Sequence, residues 1–102
     1  MKPTEEQVRR FWRWCGFSVD GVGIYHCPDG ISEVRYSPKI DLNNLFKWAV
    51  PKLRDEYYVQ ICTYYHDGEY LAQVDSAMKQ GGVAVNKDPA LALFWAIWEV
   101  MK

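Results

Sequence analysis

Hydrophobic and polar positions along the chain alternate with two different periods, and the changes of period mark its elements. Val8, Phe11, Trp12 and Cys15 recur at i, i+3, i+4 and i+7, which predicts a helix with one buried stripe from about Glu5 to Cys15. Thr4 with Gln7 three residues on makes a capping box, and Gly16 supplies the left-handed residue that ends the helix. A second helix is predicted from about Leu42 to Arg54, capped by Asp41, with Leu42, Leu45, Phe46, Ala49, Val50 and Leu53 on one face. Pro51 lies inside it, where a proline costs about 3 kcal/mol. It falls on the polar face with Asn43, Asn44 and Lys47, so the helix either bends there or breaks in two. The third helix runs from Ala90 to Met101 behind Asp88 as cap and Pro89 as first helical residue. It is apolar nearly all round. Leu91, Phe94, Trp95 and Trp98 form one stripe, and Leu93, Ala96, Ile97 and Val100 form another. Such a helix is buried on both sides, so the second stripe awaits either another helix of the chain or a second subunit.

Between the helices the period falls to two. The main hairpin is expected from Tyr57 to Ser76, turning at Asp67-Gly68, because both central residues of a type I′ turn need positive φ. That turn sets His66 opposite Glu69, Tyr65 opposite Tyr70, Thr63 opposite Ala72 and Ile61 opposite Val74. Those apolar partners and Val59 share the core face. Cys62, Gln60, Leu71, Gln73 and Asp75 share the other with Tyr64, and that face is mixed. A weaker hairpin is expected from Ile24 to Tyr36 around Pro28-Asp29-Gly30, with neither face strongly apolar, and Val83-Ala84-Val85 makes a last short strand. The class is therefore α+β, in the order α-β-β-α-β-β-β-α, and the length of 102 residues sets a single domain over residues 1–102. The order of the strands stays open.

Composition adds an over-use of Trp and Tyr, which gives a small chain a larger core. A formal net charge of −1 argues against a general polyanion binder. Cys15, Cys27 and Cys62 are odd in number and widely spaced, so a reducing compartment is expected, and neither a signal peptide nor a membrane span is expected. His26 and Cys27 are adjacent and would point to opposite faces of a strand; with no Cys-x₂-Cys or His-x₃-His pair, no metal site is expected. No glycine-rich phosphate loop and no nucleophile–base motif is recognisable, and no cofactor is implied.

Asp41-Leu-Asn-Asn-Leu-Phe-Lys-Trp-Ala-Val-Pro-Lys-Leu53 and Lys87-Asp-Pro-Ala-Leu-Ala-Leu-Phe-Trp-Ala-Ile97 together resemble the phage ABA-sandwich domain family. The N-terminal segment from Glu5 to Phe17 is similar as well. The resemblance implies an α/β/α sandwich, a protein encoded by a phage or prophage, and a place in the bacterial cytoplasm. It brings no activity to any residue.

Two functions from different classes follow. One is a non-enzymatic interaction module that binds a protein partner or itself, with Leu93, Ala96, Ile97 and Val100 as the self-association surface. Trp14, Trp48, Tyr57 and Tyr58 supply aromatic character of the sort interfaces favour. The alternative is nucleic-acid binding through Arg9, Arg10, Arg13 and Trp14, which offer charge beside a stacking ring. Glu5 and Glu6 stand four residues before Arg9 and Arg10 and would neutralise that face.

Overall fold

A computed structural model describes residues 2–64 and 68–101. The class is α+β, with three helices and two three-stranded antiparallel sheets among the described residues. The chain divides into two compact units, Lys2–Lys39 and the residues from Ile40 onward.

The first unit begins with α1 (Glu5–Trp14). Both halves of the expected capping box are formed, Thr4 Oγ1 accepting from the Gln7 amide and Gln7 Oε1 from the Thr4 amide. The helix ends in a Schellman motif. The Phe17 amide donates to the Trp12 carbonyl and the Gly16 amide to the Arg13 carbonyl. Gly16 takes φ +109°. Phe11, Trp12 and Cys15 are buried as the stripe predicts, and Val8 is half-buried. Trp12 Nε1 donates to the Pro38 carbonyl at 3.0 Å, so the buried indole has its partner.

Three two-residue strands follow, β1 (Ser18–Val19), β2 (Tyr25–His26) and β3 (Glu33–Val34), with β2 in the centre. Aspartates hold their connections. Asp20 Oδ1 accepts from the amides of Val22 and Ile24. Asp29 Oδ1 accepts from those of Ile31 and Ser32. The expected turn closes through the Gly30 amide and the Cys27 carbonyl, with Pro28 at its second position.

The second unit opens with α2 over residues 42–53, whose Asp41 cap accepts from the Asn44 amide at 2.8 Å. The helix neither simply bends nor breaks at Pro51. Leu45–Ala49 winds as a π-helix, in which the Val50 amide reaches the Leu45 carbonyl, and α-geometry resumes over Val50–Leu53. Proline lacks an amide and its ring collides with the carbonyl four residues back; a wider turn just before it accommodates both. The wider turn also shifts the phase of the apolar stripe. Leu45, Ala49 and Leu53 stay buried, but Phe46, expected in the core, is 48% exposed.

β4 (Tyr58–Tyr64), β5 (Glu69–Asp75) and β6 (Gly82–Asn86) make the second sheet, with β5 in the centre. The observed register corrects the expected one by two residues. Thr63 opposes Tyr70, Ile61 opposes Ala72, and Val59 opposes Val74. The last described pair is Tyr64 with Glu69, so four residues connect the strands; the expected turn and the partners of Tyr65, His66 and Asp67 lie outside the described residues. A slip of two residues leaves every side chain on its own face. The alternation in the sequence is therefore blind to it. Among the described residues the strands form two separate sheets, β1-β2-β3 and β4-β5-β6.

α3 (Pro89–Met101) returns over the sheet, its first turn capped by Asp88 Oδ1 accepting from the Ala90 amide. It packs on β5 and β6 and also touches α2. The approach to the sheet is close at Gly82, where an added Cβ would collide with the Ala96 carbonyl oxygen. Ala72, Val74 and Gly82 on this face are buried. Across the opposite face run Cys62, Leu71 and Val85 in one row and Gln60, Gln73 and Val83 in the next.

Candidate functional site

The second stripe of α3 is the more deeply buried of the two. Leu93, Ala96 and Ile97 are 0% exposed and Val100 is half-buried, while Leu91, Trp95 and Trp98 of the first stripe are only half-buried. Of the two occupants the sequence leaves open for that stripe, the chain's own elements are the ones present. β5, β6 and α2 surround α3, and a second subunit cannot reach Leu93, Ala96 or Ile97 without displacing them. Phe94, Trp95 and Trp98 form an aromatic cluster, with Phe94 edge-on to Trp95 at 4.9 Å and nearly parallel to Trp98 at 6.0 Å.

Besides Phe46 and Met78, the large apolar side chains left exposed in this unit lie on the other face of the sheet. Val83 is 53% exposed and Val85 39%, both on β6, which among the described residues pairs with β5 alone. Tyr58 is exposed, while Tyr57 and Trp48 are half-buried, with Lys47 Nζ 4.9 Å from the centre of the Trp48 ring. A cleft of about 450 Å³ opens beside Tyr58 between residues 54–58 and 76–79. Lys79 Nζ donates to Glu56 Oε2 across it at 2.6 Å, and that hydrogen bond raises the lysine pKa.

In the first unit, Arg9, Arg10 and Arg13 are exposed on α1 and Trp14 is half-buried, its ring 6.2 Å from that of Phe11. The expected Glu5–Arg9 pair does not form; neither residue has an ion-pair partner among the described residues. Arg9 instead lines a cleft of about 320 Å³ with Val8, Tyr25, Arg35 and Tyr36. No feature of the sequence marks Arg35 as a cleft residue. It alternates along a weak strand, and nothing local signals that it shares a cleft with a residue 26 positions earlier.

His26 sits between two carboxylates, its Nε2 3.0 Å from Asp20 Oδ2 and its Nδ1 3.4 Å from Glu33 Oε2. Asp20 is held below the usual carboxylate range, first by His26 and then by the amides of Ile24 and Val22. The side chains of Cys15 and Cys27 are buried and that of Cys62 is half-buried. Among the described residues no three His, Cys, Asp or Glu gather as metal ligands, and no helix is long and apolar enough to cross a membrane. No protein-family model, curated protein or solved structure matches the chain.

Proposed function

We propose that the protein is a non-enzymatic interaction module that self-associates through the free edge of β6. The observation that carries this reading is the edge itself. Gly82-Val83-Ala84-Val85-Asn86 has no charge and no proline, and two of its valines are exposed. Sheet edges are ordinarily protected by charge, proline or a covering element, because their unpaired amides and carbonyls accept another strand. A second copy of β6 would complete those hydrogen bonds and shelter Val83 and Val85. We place the chain among phage and prophage proteins of the bacterial cytoplasm on the resemblance carried by residues 41–53 and 87–97.

Light scattering across roughly 10 μM to 1 mM, at two salt concentrations, tests the association. A concentration-dependent, salt-insensitive dimer that Val85→Lys abolishes without loss of folding is expected; a monomer throughout refutes it. The alternative reading, nucleic-acid binding through the arginine face of α1, draws support from the cleft that joins Arg9 to a second arginine and two tyrosines.

A further inference from the structure

The cleft on the first unit has the makings of a ligand site, independent of any pairing through β6. Its volume of about 320 Å³ lies at the lower end of the range for small-molecule sites. Arg9 enters from α1 and Arg35 from just beyond β3. Neither has a hydrogen-bond or ion-pair partner among the described residues. Two guanidinium groups with unused donors at one cleft suit an anion with several acceptor oxygens.

Tyr25 is a second and independent pointer. It is only 8% exposed, yet its hydroxyl makes no hydrogen bond among the described residues. Among the described residues no buried side-chain oxygen or nitrogen lacks a partner, so that hydroxyl reaches solvent, and the cleft is the opening Tyr25 lines. A largely buried phenol whose hydroxyl is open to the cleft offers a well-positioned donor to an acceptor bound there.

Tyr36 is 77% exposed beside these donors, offering a flat ring to stack on. Glu5 also lines the cleft. Its carboxylate repels a phosphate but accepts from ribose hydroxyls or a base amino group, so it favours a ligand with donors at one end and negative charge at the other.

We propose that this cleft binds a nucleoside phosphate, with Arg9, Arg35 and the Tyr25 hydroxyl on the phosphate and Tyr36 against the base. Stacking on one ring is tolerant of base identity. The ligand is a free nucleotide or one nucleotide of a single strand, which share this chemistry.

Calorimetry on the full chain with AMP, inorganic phosphate and a short oligothymidylate tests the site. Expected are AMP binding tighter than inorganic phosphate and weakening of about tenfold or more in Arg35→Gln and Arg9→Gln. Tyr25→Phe keeps the packed ring and removes only the hydroxyl; about tenfold weakening is expected with an unchanged melting temperature. Tighter binding of the oligonucleotide than of AMP assigns the nucleotide to a strand, and the reverse order assigns a free nucleotide; both support the site. No AMP binding up to millimolar concentration, equal binding of phosphate and AMP, or affinities untouched by the three variants would overturn it.

Discussion

Replacing Leu93 by alanine tests where the core of the second unit lies. Leu93 is fully buried on α3, between neighbours that are themselves buried or half-buried. The substitution deletes three carbon atoms, and at about 0.8 kcal/mol for each the transfer loss alone is roughly 2 kcal/mol. Packing here relaxes little, because α3 is pinned to the sheet where Gly82 meets the Ala96 carbonyl. The residual cavity therefore adds to the loss, and a total of about 3 kcal/mol is expected, within the roughly 2–5 kcal/mol range for such changes. In a chain of this size that lowers the melting temperature by roughly 12–20 °C. Urea denaturation followed by tryptophan fluorescence gives the free energy, with Ile97→Val as a milder companion costing about 1 kcal/mol. The difference from wild type is expected to be the same at low and high protein concentration, since the lost contacts lie within one chain. A loss below about 1 kcal/mol, or one that appears only where dimers dissociate, would refute internal burial of this stripe.

The remaining predictions address the strand–helix contact and the histidine cluster. Gly82→Ala drives a methyl group into the Ala96 carbonyl and the Glu99 side chain, so a loss of about 1–3 kcal/mol is expected by thermal melting; an unchanged melting temperature would disprove the close approach. The Asp20 carboxyl is expected to titrate below the ordinary carboxylate range in a carbon-13 NMR experiment, and Asp20→Asn to remove that signal. Because its folded-state pKa is the lower one, its contribution to stability is complete above the ordinary range and disappears as pH falls through the lowered value. A carboxyl titrating at or above the ordinary range would contradict the geometry around His26.

Features decided within a few residues were legible in the sequence. Thr4 with Gln7, Asp41, and Asp88 with Pro89 each start a helix where expected, because a cap is a hydrogen bond between near neighbours. Gly16 ends α1 for the same local reason. The alternation along β4 and β5 determined which residues share a face, since that follows from the pleat of a single strand. Tertiary structure decided the rest. The hairpin register depends on where the connection closes, and two registers two residues apart bury the same side chains. The π turn before Pro51 moved Phe46 out of the core by a phase shift that no 3.6-residue pattern contains. The burial of Leu93, Ala96 and Ile97 depended on which elements packed around α3, and periodicity alone could not choose between a second helix and a second subunit. Arg9, Tyr25 and Arg35 meet in one cleft only because β2 and β3 fold back beside α1. Local hydrogen bonds are written into adjacent residues, whereas packing is a property of surfaces that are brought together only when the chain has folded.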